Sequence, residues 1–111
     1  MGDDKYTNRH ITWKGFSSKE RNIAIHEIEQ IINIYADIID FRFFSDMDVT
    51  LKIEISERKI SDLYNKLGTY LNLDHFQFET TNSDREFIIH LQLTFANATG
   101  NLTHTVPSVP G

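Results

Sequence analysis

From His10 to Phe16 apolar and polar residues alternate, Ile11 and Trp13 in one phase and Thr12 and Lys14 in the other. That period of two predicts a first strand. Ser17-Ser18-Lys19-Glu20 follows with the form of a capping box, so a helix is expected to start there. Its core stripe is Ala24, Ile28, Ile31, Ile32 and Tyr35 at helical spacing, and it is expected to end near Ala36. Ile39, Phe41 and Phe43 then alternate with Asp40 and Arg42, and Ser45-Asp46-Met47-Asp48 supplies turn-forming residues. Val49, Leu51, Ile53 and Ile55 against Thr50, Lys52 and Glu54 make a third strand, which reads as the second half of a hairpin.

Ser56 stands where it would cap a second helix, with Ile60, Leu63, Tyr64, Leu67 and Leu71 on its apolar stripe and Asn72 at its end. Phe76 and Phe78 predict a short fourth strand. The longest strand runs from Arg85 to Phe95, with Phe87, Ile89, Leu91, Leu93 and Phe95 inside and Glu86, Ile88, His90, Gln92 and Thr94 outside. The order is β-α-β-β-α-β-β, an α+β class with two helices on one face of an antiparallel sheet. Right-handed crossovers predict the ferredoxin-like arrangement, with strand order 5-4-1-3-2 and every neighbour antiparallel. The expected interior comprises Ile11, Trp13, Phe41, Phe43, Leu51, Ile53, Phe78, Ile89, Leu91 and Leu93, faced by Ile28, Ile32, Leu63 and Leu67. The last strand is then an exposed edge, and its unpaired amides invite a second subunit or the end of the chain itself. A homodimer is the expected association.

The domain organisation expected is a flexible N-terminus over residues 1–9, a single domain over 10–95 and an extended arm over 96–111. The arm ends in Val106-Pro107-Ser108-Val109-Pro110-Gly111, where two prolines favour an extended path.

Composition narrows the chemistry. The 111 residues suit one hydrophobic core, and a net charge of −5 repels phosphate backbones and anionic lipid, so no nucleic-acid and no membrane partner is expected. The chain has no cysteine, which removes disulfides, thiolate nucleophiles and cysteine metal sites. Met1 to Asn8 is polar, without the basic and apolar pattern of a signal peptide, and the expected address is cytoplasmic. None of the five histidines stands in a metal-binding spacing, and no glycine pattern cradles a phosphate, so no metal and no cofactor is expected. The third strand presents Thr50, Lys52 and Glu54 where an RNA-recognition motif carries stacking aromatics.

The open sheet face is expected to display, among others, Thr12, Lys14, Ile38, Asp40, Arg42, Phe44, Thr50, Lys52, Ile88, His90 and Gln92. His90 is the candidate acid or base, because an imidazole in mid-strand titrates near neutral pH; the plain alternative is a partly exposed strand histidine. Trp13 belongs to an aromatic-rich set suited either to packing or to lining a pocket. Phe44, in the outward phase, and Ile88, an apolar outer-row residue, are candidate interface positions.

The element order resembles the ferredoxin-like superfold, including regulatory domains of the ACT type and the dimeric α+β barrel proteins. The stretch Thr99-Gly100-Asn101-Leu102 with the proline-containing end resembles the tail of small uncharacterised bacterial proteins of this size. The ACT-like resemblance implies a ligand-site glycine after the first strand, a place that Gly15 occupies. The expected function is a non-catalytic small-ligand-binding or protein-interaction module acting as a dimer. The alternative is a cofactor-independent enzyme of the dimeric α+β barrel type, with His90 as its acid or base. Whether His90 and Trp13 line one closed cavity discriminates between them.

Overall fold

A long strand that is apolar along one whole face is most stable with neighbours on both edges, where every backbone amide and carbonyl finds a partner. The computed structural model, which describes residues 9–78 and 81–97, places the final strand in that position. The elements are β1 (His10–Glu20), α1 (Arg21–Tyr35), β2 (Asp37–Phe43), β3 (Asp48–Ser56), a 3₁₀ turn (Glu57–Lys59), α2 (Ile60–Gly68), β4 (Asn72–Leu73) and β5 (Glu86–Asn97). They form one five-stranded sheet in the order β2-β3-β5-β1-β4. The segment before residue 9 and the expected arm from residue 98 onward lie outside the described residues.

This order corrects the ferredoxin-like 5-4-1-3-2 expectation in two respects. The final strand is central instead of an edge, and β1 runs parallel to it, so the sheet is mixed. What remains is the α+β class with two helices on a five-stranded mixed sheet. A free edge on β5 therefore gives no reason for dimerisation, since both of its sides are paired, with β3 from Ser56↔Glu86 to Asp48↔Thr94 and with β1 from His10↔Ile88 onward.

The physical cause lies in how the chain enters β5. Phe76 and Phe78 form no strand; their rings stack at 5.7 Å, and Phe76 meets Trp13 at 5.4 Å while Phe78 meets Phe87 at 5.6 Å. Ring packing thus carries this segment past the core without pairing its backbone, leaving the two-residue β4 to flank β1. At the other end of the excursion the Glu57 amide donates to the Arg85 carbonyl at 2.8 Å, and the buried Glu57 carboxylate accepts from Arg85 Nε and Nη2 at 3.3 and 3.2 Å. Burial raises the Glu57 pKa, but hydrogen bonds from Thr81, Arg85 and Ser83 together with the Arg85 charge outweigh it and hold the carboxyl below its ordinary value. This fastening sets β5 directly against β3.

Local boundaries also differ from the expectation. Ser17 is not a helix cap; it is a buried residue of β1 whose Oγ accepts from the Lys19 amide at 3.1 Å. The strand continues to Glu20, and there the carboxylate accepts from the Ile23 amide at 3.2 Å and caps α1. Ser56 makes no side-chain cap, because a 3₁₀ turn precedes α2, and α2 ends at Gly68, leaving Leu71 and Asn72 beyond it. In β2 the register shifts between Ile38 and Asp40, so Ile39 is an extra, bulged residue. Ile38 consequently packs against the core instead of facing the open side, while Ile39 is 47% exposed and Phe43 57% exposed.

Both helices share one core with the inner rows of the sheet. Ala24, Ile28 and Ile32 of α1 and Ile60, Leu63 and Leu67 of α2 are buried, as are Leu51, Ile53, Ile89, Leu91 and Leu93 beneath them. Leu91→Ala is expected to lower the unfolding free energy by about 2 to 5 kcal/mol through lost transfer energy and a residual cavity. Phe43→Ala, at the exposed end of β2, is expected to cost about 1 kcal/mol or less. Urea unfolding of the two variants against the parent measures both; equal costs would place Phe43 in the core after all.

Candidate functional site

Side chains alternate across a sheet, so covering the inner rows with helices leaves the opposite rows to solvent. Strand register aligns those outer residues into transverse rows. Asp40, Lys52, His90 and Thr12 are successive cross-strand partners on β2, β3, β5 and β1, and Arg42, Thr50, Gln92 and Lys14 form the next row. Residues of these rows, with Phe44 and Asp48 toward one end, line an open depression of about 630 Å³.

The charges in it are unequally satisfied. Asp40 accepts from Arg42 Nε at 3.2 Å, and hydrogen bonds from the Phe41 backbone and from Arg42, then the charges of Arg42 and Lys52, hold its carboxyl below the ordinary value. Asp48 accepts from Thr94 Oγ1 at 2.9 Å and from Ser45 Oγ at 3.1 Å, which occupies both its oxygens. Lys52 has no carboxylate within 4 Å among the described residues. The floor of the depression therefore offers Lys52, in no salt bridge among the described residues though its charge reaches Asp40, flanked by the hydroxyls of Thr12 and Thr50 and the Gln92 amide.

His90 sits beside Lys52 and is half-buried. The parallel pairing of β1 with β5 also brings His10 to it: His10 Nδ1 and His90 Nε2 are 3.4 Å apart, with the rings stacked at 5.6 Å and 15°. One imidazole donates and the other accepts, according to tautomer. Burial, then the charges of His10 and Lys52, hold His90 below the ordinary value of 6.5. At neutral pH the ring is uncharged, leaving Lys52 as the charge and His90 as a neutral hydrogen-bonding group.

The expected site residues divide between the two faces. His90, Ile88 and Phe44 lie on or beside the open face, with Ile88 half-buried and Phe44 67% exposed at the hairpin end. Trp13 lies on the helix face, 2% exposed, in edge contact with Tyr64 at 5.2 Å and Phe76 at 5.4 Å. Its indole Nε1 meets no hydrogen-bond partner among the described residues. Among the described residues His90 and Trp13 thus line no common cavity. Gly15 stands within β1 instead of in a loop, and a Cβ there would come to 3.0 Å from a Leu73 methyl and 3.3 Å from a Leu93 methyl. Its role is close packing of β1 against those leucines.

Lys52 and His10 were not singled out by sequence, although the outward phase of Lys52 was legible. The His10–His90 contact depends on the parallel β1–β5 pairing, which no local pattern announces. Among the described residues no group of three or more metal-ligating side chains is assembled, and no helix is long and apolar enough to cross a membrane.

Because the folded state binds the His90 proton less tightly than the unfolded chain does, its stabilising contribution is full above about pH 6.5 and is lost as pH falls below that value. His90→Gln should reduce the stability lost between about pH 7.5 and about pH 5.5. Urea midpoints of parent and variant at both pH values check this, and identical losses would contradict it.

Compared with known proteins, no family model, curated protein or solved structure matches this chain, so the functional reading rests on the geometry.

Proposed function

We propose that this chain is a non-catalytic binding module, working as a dimer, whose open sheet face receives a small ligand carrying an anionic group. The observation that carries the reading is the depression itself, with Lys52 in no salt bridge among the described residues and polar side chains around it. A carboxylate or phosphate there would exchange water for the Lys52 ammonium and for donors at Thr12, Thr50 and Gln92, in a hollow where partial desolvation strengthens charge-assisted hydrogen bonds. Phe44, on the same lining, offers an apolar surface to the rest of such a ligand. A cytoplasmic address belongs to the same reading.

The second reading, a cofactor-independent enzyme using His90, draws support from the lowered pKa, which leaves an unprotonated imidazole at neutral pH. It is weaker because the depression is open to solvent and the nearest partner of His90 is another imidazole. Acid–base chemistry is favoured by water exclusion and by a group that orients the base.

Titration of the isotope-labelled protein with a panel of small carboxylates and phosphate esters is expected to move the amide signals of Lys52, His90 and Gln92 saturably. Lys52→Met should abolish that response while leaving the fold intact. No response from any compound, or one mapping to another surface, would overturn the ligand reading; turnover lost in His90→Ala would establish the enzyme instead.

A further inference from the structure

With β5 in the centre, the longer sheet edge belongs to β2, which pairs only with β3 among the described residues. Its seven residues, Asp-Ile-Ile-Asp-Phe-Arg-Phe, contain no proline and no lysine, so blunting of this edge is left to the charges of Asp37, Asp40 and Arg42 and to the bulge at Ile39. Large apolar side chains are exposed along it or just beyond it: Ile39 at 47%, Phe43 at 57% and Phe44 at 67%.

We propose that a second copy of this chain occupies that edge, β2 pairing antiparallel with β2 of the partner copy about a two-fold axis at Phe41. The register follows from charge and phase. A two-fold makes the interface self-complementary, and keeping the helices of both copies on one side of the joined sheet requires residues of equal phase to face each other. The axis must then pass through a residue. Centred on Asp40 or on Arg42, it would set identical charges opposite one another, which destabilises a cross-strand pair. Centred on Phe41, it sets Asp40 opposite Arg42 of the partner copy and Arg42 opposite Asp40 of the partner copy. The bulged Ile39 and Phe43 flank this pairing at its two ends, so the partner copy brings the exposed apolar side chains of both chains together there.

Asp40 and Arg42 already form a 3.2 Å ion pair within one chain, so the interface joins two such pairs into a four-membered charge network. Both residues also line the open-face depression, which places the two depressions side by side across the new strand pair. The bulge at Ile39 limits regular pairing to the Asp40 to Arg42 stretch.

This inference rests on the dimeric part of the proposed function and adds the surface. Sedimentation equilibrium of the full chain is compared with Asp40→Arg, Arg42→Asp and the double variant, with circular dichroism confirming the fold of each. The parent is expected to dimerise, each single exchange to weaken dimerisation about tenfold or more by opposing like charges, and the double exchange to restore it to within about threefold. A parent that is monomeric throughout would overturn both the surface and the dimer. A dimer indifferent to the single exchanges, or one that the double exchange fails to restore, would overturn the surface alone. Ligand titration through Lys52 is read independently of all these outcomes.

Discussion

Everything in this fold depends on the two-sided pairing of β5. A strand with a fully buried inner row, Ile89 and Leu91 at 0% exposure, cannot leave its backbone polar groups unpaired without a cost comparable to a lost hydrogen bond at each site. Placing it between β3 and β1 satisfies both edges. The Glu57–Arg85 fastening brings it in beside β3, and the stacked Phe76 and Phe78 occupy the space where a fourth strand would otherwise be expected. Once β5 is central, the remaining strands have few places to go: the β2–β3 hairpin lies on one side, and β1 with its short β4 flank lies on the other.

The same pairing assembles the candidate site. Antiparallel contact with β3 sets Lys52 against His90, and parallel contact with β1 brings in Thr12 and stacks His10 on His90. No two of Lys52, His90 and His10 share a local segment. Electrostatics then differentiates the residues thus gathered. Asp40 and Asp48 are satisfied by Arg42, Thr94 and Ser45, His90 is held neutral by burial and neighbouring positive charge, and Lys52 remains in no salt bridge among the described residues. A protein of net charge −5 thereby offers a local cation on an otherwise mixed surface. Long-range attraction of an anion is weak under that field, so short-range contact in the hollow must supply the binding.

Most secondary structure was legible in the chain because its causes are local. The strict alternation of Val49 to Ile55 and Phe87 to Phe95 and the helical stripe through Ala24, Ile28 and Ile32 each follow from fitting an amphipathic segment to one buried face. The errors fall where two local signals competed. Ser17 to Glu20 reads as a capping box, yet the strand carries on to Glu20, whose own carboxylate caps α1. Ile38 and Ile39 are adjacent apolar residues, and the bulge chose Ile38 for the core; Phe43 keeps the inward phase opposite Val49 but is exposed at the end of the edge strand. Phe76 and Phe78 alternate as a strand would, yet ring stacking used their surface without using their backbone.

The sequence by itself determined an α+β chain with one core, the inward and outward phase of most strands, and a polar open face that includes His90 and Lys52. Only the tertiary structure decided which strand lies in the middle, that β1 runs parallel to β5, and that Trp13 and His90 belong to opposite faces of the sheet. The reason is range. A residue's phase within its own element is set by neighbours two to four positions away, whereas strand order is set by contacts between segments as distant as His10 and Ile88, such as the fastening of Glu57 to Arg85, whose partners no local period can name.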